Sequence, residues 1–300
     1  MNERSICLIG VGKVGSALAF EFIEAEFQNV YLIDKNLSRV SRIAKNSKVF
    51  KYSSRYKKEF IKVSDVVIIS VQDNIIESVI KKLQSLKIDY SGKIILHTSG
   101  ALNSDVFNSL NISKSRVGSF HPIQTFNRFY IRRGEVLKGI YFGIEGGIIA
   151  KKFQKELCKK FKSSYIEIPK EKKFIYHTAC VIASNFLVTY VNILSDIIKM
   201  IGLNEEKTYK IFEPIIIETL LNISQHGYVK SLTGPYERNE LITIKGHLQS
   251  ISEENPSLIP FYTSLAKETI GVALKKRSIT KVEAGELNKV LDKFKINHKF

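Results

Sequence analysis

"SICLIGVGKVGSALAFEF", residues 5–22, decides the fold of this chain. Residues 5–9 form a short apolar run with the character of a buried strand, three glycines follow, and the residues beyond them suit a helix. Gly10, Gly12 and Gly15 stand in the spacing G-x-G-x-x-G, with Lys13 and Val14 filling the turn. Each glycine has a separate task in a dinucleotide-binding strand–turn–helix unit. The first permits the tight turn, the second lets a pyrophosphate approach the backbone, and the third lets helix and strand pack closely. The helix N-terminus then offers free N–H groups and the positive end of its dipole to phosphate. A second strand, "NVYLID" (29–34), ends in Asp34 about twenty residues after the turn, as the fingerprint expects.

Asp34 can be read two ways. An acid at the end of the second strand accepts ribose hydroxyls and favours NAD, whereas cations just after the strand hold the extra phosphate of NADP. Lys35, Arg39 and Arg42 follow at once. We take NADP, as NADPH, for the expected cofactor and NAD as the alternative.

Outward from this unit, strand-like and helical runs alternate. "DVVIISV" (65–71) precedes a helix from about 74 to 86, and "KIILHTS" (93–99) one from about 103 to 110. "RVGSFHP" (116–122), "IYFGIEG" (140–146) and "YIEIP" (165–169) add further strands. Apolar strands alternating with amphipathic helices predict a mostly parallel sheet covered on both faces. Ligands of such sheets lie beyond the carboxyl ends of the strands. Gln72 and His97 fall there and are assigned to the cofactor; Ser99 and His121 fall there and are assigned to the substrate.

After Pro169 the pattern becomes helical, with segments at roughly 171–201, 204–226, 235–251, 255–275 and 280–294, separated by Gly and Pro. The expected fold is α/β followed by all-α: a Rossmann domain at 1–169 and an all-helical substrate and dimerisation domain at 170–300. The helix "FIYHTACVIASNFLVTY" (174–190) carries His177, Ser184 and Asn185 in an otherwise apolar run. In "LTGPYERNELITIKGHL" (232–248) a helix is expected from Pro235, with Asn239, Thr243 and His247 at successive turns and Glu240 near the same stripe. Two polar patches of this kind suggest the walls of a cleft.

"GVGKVG", "HTSGA" (97–101), "GSFHPIQTF" (118–126), "YHTACVIASNFLV" (176–188) and "LTGPYERNE" (232–240) occur together and in order. The set resembles the Rossmann-like oxidoreductases whose C-terminal half is a helical domain of unknown function. These are distant relatives of 6-phosphogluconate dehydrogenase, pyrroline-5-carboxylate reductase and ketopantoate reductase, and some members look like the alternative, PanG-type ketopantoate reductases. Ordinary ketopantoate reductases carry Lys-x-x-x-Asn-x-x-x-Asn on the first helix of the helical domain, then a substrate-binding Ser and a Glu. Laid on this chain, the second Asn matches Asn185, the middle Asn position holds Val181 and the Lys position holds His177. Thr233 and Glu240 fall in the order of the later Ser and Glu.

The resemblance implies NAD(P)H-dependent reduction of a small 2-oxo acid, with ketopantoate as the leading substrate. An imine reductase or hydroxy-acid dehydrogenase on the same scaffold is the alternative, and a non-catalytic NAD(P)-binding sensor is a different class. His177 is the expected proton donor, because an imidazole titrates near neutral pH; Glu240 would orient it, and His121 is the substitute acid. Asn185, Ser99, Thr233 and Arg238 would hold the substrate carboxylate.

The remaining totals narrow the classes. The net charge of +17 could suggest nucleic acid, but lysine is spread along the chain and no nucleic-acid motif accompanies it. In the densest run, "KKFQKELCKKFK" (151–162), Phe153, Leu157 and Phe161 mark an amphipathic helix with lysines on its wet face. Cys7, Cys158 and Cys180 lack metal-ligand spacing and read as reduced thiols, so no metal is expected. No uninterrupted apolar run approaches the roughly 18 residues of a membrane span. "MNERSICLIGVGKVG" enters a strand pattern directly, with no cleavable signal. The expected protein is cytoplasmic, acts on a small molecule without nucleic acid or membrane, and forms a homodimer through the long helix.

Overall fold

A computed structural model of the chain describes residues 3–127, 136–204 and 208–296. It divides into two compact units, Met1–Leu187 and Val188–Phe300.

The first unit is built on β1 (Ile6–Ile9), β2 (Val30–Ile33), β3 (Phe50–Ser53), β4 (Val66–Ile69), β5 (Ile94–His97), β6 (Val117–Ile123), β7 (Tyr141–Gly146) and β8 (Ser164–Glu167). These form one sheet in the order β3-β2-β1-β4-β5-β6-β7-β8. Every pairing is parallel except β6 with β7. The strands ICLI, VYLI, VVII and IILH are buried at every position, the signature of a sheet covered on both faces. Helices α1 (Lys13–Glu24), α2 (Leu37–Ala44), α3 (Lys58–Val63), α4 (Asp73–Ser85) and α5 (Ile148–Lys160) supply the cover. Phe20 and Phe22 of α1, with Phe153 and Leu157 of α5, join the core on one face of the sheet, and Ile76, Val79, Ile80 and Leu83 of α4 join that on the other. Burying one such side chain contributes about 1.5–3 kcal/mol.

Two local expectations change. The strand FKYS of β3 escapes a search for apolar runs, because Lys51 and Tyr52 are both exposed between buried Phe50 and Ser53. The helix expected at 103–110 is only a 3₁₀ turn, Ser104–Phe107, which Asn103 initiates by accepting the Asp105 N–H.

The class of structure changes after Pro169, yet the first unit extends into α6 (Lys173–Met200), whose opening turns pack on the sheet. By length and composition the stretch Lys170–Met200, with mean hydropathy 1.6, is long and apolar enough to cross a membrane. A search for uninterrupted apolar residues misses it because Lys173, His177, Ser184 and Asn185 break the run.

The second unit contains α7 (Thr208–His226), α8 (Leu241–Glu254), α9 (Ile259–Lys276) and α10 (Lys281–Ile296). Its core is Ile244 and Leu248 of α8 with Ile259, Ala266 and Ile270 of α9 and Leu287 and Leu291 of α10. The helix expected from Pro235 begins only at Leu241. Gly234 (φ +96°) and Asn239 (φ +52°) take left-handed conformations, and Glu240 N–H closes a turn on Pro235 O at 2.9 Å.

Candidate active site

The glycine turn follows β1. Gly10 has φ +92°, and a Cβ there would lie 2.3 Å from Ser70 O, so only glycine joins β1 to α1 beside β4. A Cβ at Gly15 would lie 2.1 Å from Gly10 O, which is the close packing that its place in the motif requires. Gly12 differs: a Cβ would meet nothing within 4 Å, so its glycine keeps open the space in front of the helix. Gly12 also caps α1 without a side-chain hydrogen bond, which leaves first-turn N–H groups for an anion. These features fit a pyrophosphate, with Lys13 exposed beside it.

Asp34 is buried and engaged internally. Its Oδ2 accepts Val11 N–H at 2.8 Å and its Oδ1 accepts Asn36 N–H at 2.8 Å, so it ties the glycine turn to the end of β2. Arg39 Nη1 stands 3.7 Å from the same carboxylate. The expectation that Asp34 lies open to a ribose is therefore corrected to a structural role, and the exposed Lys35 is left at the rim of this end of the site.

At the ends of β4 and β5, Gln72 is exposed at the start of α4 and makes no capping bond, as a cofactor-facing residue would. His97 does not reach a ligand: it is fully buried, its Nε2 lies 3.2 Å from Asn103 O, and its Nδ1 accepts Ser99 N–H. Burial, the largest cause, lowers its pKa to about 3. Its assignment to the cofactor is corrected to shaping the loop after β5. Ser99 is corrected likewise. Its hydroxyl donates to Asp73 Oδ2 at 2.8 Å and accepts Ala101 and Leu102 N–H, so it is spent on the turn rather than on a substrate carboxylate.

Four side chains converge at the ends of β5 and β6. His121 and Tyr176 share a hydrogen bond of 2.7 Å between Nδ1 and Oη. Tyr176 fits because its partner strand has glycine opposite His121: a Cβ at Gly143 would lie 2.3 Å from Tyr176 Oη. The His177 ring meets His121 edge-on at 5.7 Å, and its buried Nδ1 has no hydrogen-bond partner among the described residues. Both imidazoles press on Gly100, where a Cβ would lie 2.5 Å from His177 Nδ1 and 2.9 Å from His121 Nε2. Beneath them is Lys173, 1% exposed, donating to Ser119 Oγ at 2.6 Å and to Ser99 O at 3.1 Å.

The electrostatics separate these groups. Burial first, then the charge of Lys173 and then His177, lower the His121 pKa to about 3. His121 is therefore neutral at physiological pH and does not serve as an imidazolium acid, which corrects its role as substitute donor. Burial likewise pushes the Tyr176 phenol upward and lowers Lys173 to about 8.

The thiols are as free as expected: Cys7 and Cys158 are buried, and burial raises Cys158 to about 12. Cys180 is half-buried. Among the described residues no cluster of three His, Cys, Asp or Glu side chains is arranged to hold a metal. Asn185 lies exposed on α6. Thr233, Arg238 and Glu240 belong to the second unit, where Arg238 Nε donates to Glu240 Oε1 at 2.6 Å and Thr243 Oγ1 to Glu240 Oε2 at 3.4 Å. Within that unit the Glu240 carboxylate is thus bound to Arg238.

Lys173 and Tyr176 were missed in the sequence. The lysine closes a charged run, "KEKK" (170–173), that looks solvated, and nothing marks it as the buried member. The usable signal was its place one helical turn before His177.

Residues 5–99 match the family described as NADP oxidoreductase coenzyme F420-dependent, and residues 140–269 match the domain of unknown function DUF2520. The chain thus carries, in order, a segment that matches an NADP oxidoreductase family and one that matches the DUF2520 domain. Protein TM1727 from Thermotoga maritima is 24% identical with a TM-score of 0.72, over 91% of this chain and 99% of that one. Protein BF3122 from Bacteroides fragilis is 21% identical with a TM-score of 0.66, over 90% and 99%. Pyrroline carboxylate reductase from Plasmodium falciparum, solved with NADP bound, is 15% identical with a TM-score of 0.59, over 97% and 99%. At these identities the likeness is one of fold. No curated protein matches the chain.

Proposed function

We propose that this oxidoreductase uses NADPH to reduce a small 2-oxo acid, with 2-dehydropantoate to pantoate as the reaction to test first. The observation that carries the reading is His177 Nδ1, a buried nitrogen without a partner among the described residues, set against Gly100 beyond the carboxyl end of β5, the same end of the sheet as the glycine turn after β1. Gly10, Gly12, Lys13, Val14 and Gly15 would hold the pyrophosphate. Lys35 and Arg39 would take the 2′-phosphate, since Asp34 is turned to the chain's own amides. Gln72 would stand beside the cofactor beyond β4. When bound, NADPH supplies the hydride.

His177 then gives a proton to the developing alkoxide, while neutral His121, fixed by Tyr176, is available to hydrogen-bond the substrate. Asn185 is proposed for the substrate carboxylate. The choice of 2-dehydropantoate rests on the motif resemblance. Reduction of an imine is the second reading, favoured by the fold shared with a pyrroline carboxylate reductase.

The test is NADPH and NADH absorbance with purified protein and 2-dehydropantoate, pyrroline-5-carboxylate and a panel of other 2-oxo acids. Oxidation of NADPH with 2-dehydropantoate is expected, faster than that of NADH. Tight NADPH binding with no turnover on any of them would replace the reductase by a cofactor-binding sensor.

The exposed apolar residues of the long helices, among them Ile182, Phe186 and Val188 of α6 and Ile215 and Leu220 of α7, are read as a contact with a second copy of the chain. Light scattering should report a dimer at micromolar concentration, and a monomer there would sink this reading. The three free thiols accord with a reducing compartment, here proposed as the cytoplasm.

A further inference from the structure

Lys173 breaks two rules at once. A lysine side chain is almost never fully buried unless paired, and a cation at the first position of a helix opposes the helix dipole. Lys173 is 1% exposed and is the first residue of α6. Among the described residues no carboxylate hydrogen-bonds to it: its bonds go to a backbone carbonyl and a hydroxyl, Ser99 O and Ser119 Oγ. Those acceptors lie just after β5 and within β6, the strands whose ends carry Gly100 and His121. Ser119 is itself fixed, because Gln154 Nε2 of α5 donates to Ser119 O at 3.1 Å. One turn along α6 from Lys173 stands His177.

We propose that Lys173 is a positioning residue, whose ammonium bolts the first turn of α6 to the ends of β5 and β6 and so sets His177 and His121 against Gly100. Buried and bonded to Ser99 O and Ser119 Oγ, it acts through the groups it holds and not on the reacting atoms. The inference rests on the reading of this cluster as the reducing site, but its central evidence is structural and can be sought without a substrate.

The charged groups around Lys173 come from several elements. Glu145 of β7, Asp73 of α4 and Cys180 of α6 favour its charge, whereas burial opposes it most strongly. Across from it, His97 of β5 and His121 of β6 both feel its charge, and its Nζ stands 5.4 Å over the Tyr176 ring. Glu145 is held by Ser104, which donates through both N–H and Oγ, so the carboxylate nearest in charge is kept from closing an ion pair.

The experiment compares the wild type with Lys173→Met and Ser119→Ala, the latter removing only the 2.6 Å acceptor. NMR of the NADPH-bound protein follows the Gly100 amide and the imidazole protons of His121 and His177. Both variants should shift the Gly100 amide and alter the ring contacts between the two histidines. Lys173→Met should also raise the pH at which His121 titrates. Under turnover, each should lower kcat by about 10–10²-fold, the effect of roughly 1 Å of misplacement, with the KM for NADPH unchanged. The wild-type kcat should fall above about pH 8, where the ammonium is lost, and Lys173→Met should lack that limb. If Lys173→Met fails to fold, Ser119→Ala carries the test alone through the Gly100 and histidine signals. Unchanged Gly100 and histidine signals in a folded variant would overturn the proposal. Shifted signals with no turnover in the wild type would uphold the bolt and instead refute the reductase.

Discussion

Alanine at His177 should lower turnover about 10²–10⁴-fold and leave NADPH affinity as it was, because it removes the proton donor and nothing that meets the cofactor phosphates. The expected loss comes from a single atom. His177 Nδ1 is buried without a partner among the described residues, a state that costs stability unless a ligand supplies one. Folding should tolerate the change, since no intramolecular hydrogen bond of Nδ1 is lost, and the cavity left at Gly100 is bounded by the His121 ring. Single-turnover kinetics with a fluorescence titration of NADPH separate the two quantities. A variant with full turnover and wild-type melting would pass the proton-donor role to another group. Since His121 is held neutral down to about pH 3, it would not inherit that role as an imidazolium.

Gly10→Ala should be the most damaging change in the cofactor half. A methyl group there is driven to 2.3 Å from Ser70 O and 2.7 Å from Val71 Cγ1, on a residue whose φ is +92°. Backbone strain of about 1–2 kcal/mol adds to overpacking of about 1–3 kcal/mol. A loss of about 2–5 kcal/mol in unfolding free energy is therefore expected, together with NADPH binding weakened beyond 10²-fold. Gly12→Ala is the control, because its methyl group enters open space. Its stability should stay within about 0.5 kcal/mol, while NADPH binding drops by about 10–10²-fold as the methyl takes the place of a phosphate. Denaturant unfolding and cofactor titration of both variants provide the check. Equal stability losses in the two would show that the turn was misread, and equal NADPH affinity in Gly12→Ala and wild type would remove the pyrophosphate from it.

The α/β half was legible because its physics is local. An apolar strand, a glycine turn and an amphipathic helix each leave a pattern within a dozen or so residues, and β1, α1, β2 and β4 fall where those patterns put them. β3 was hidden because only its ends, Phe50 and Ser53, are buried. The helix sought at Pro235 failed for a different reason. Proline suits a first helical turn, but it equally suits the turn that Glu240 N–H closes onto it, and the choice depends on the backbone at Gly234 and Asn239.

The candidate site was legible in its residue types and less so in their duties. His177 and His121 stand together as two histidines at the ends of separate elements. Ser99, His97 and Asp34 were assigned to ligands because polar residues at strand ends usually meet them, whereas each satisfies backbone amides of the loops that carry the site. Hydrogen-bond partners of this kind come from contacts that spacing does not encode. Lys173 was hidden for the same reason: burial is a property of what folds over a residue.

The place of β1 in the sheet also sets an order of assembly. It lies between β2 and β4, and its second neighbour is complete only at Ile69. At ribosomal speeds of about 5–20 residues per second, the roughly 60 intervening residues take several seconds. Throughout that time Ile6–Ile9 is an apolar strand with an open edge, the kind of segment that pairs with the wrong chain. The nascent protein is therefore most vulnerable to aggregation before β4 has emerged, and the glycine turn becomes a fixed shape only when Ser70 closes against it.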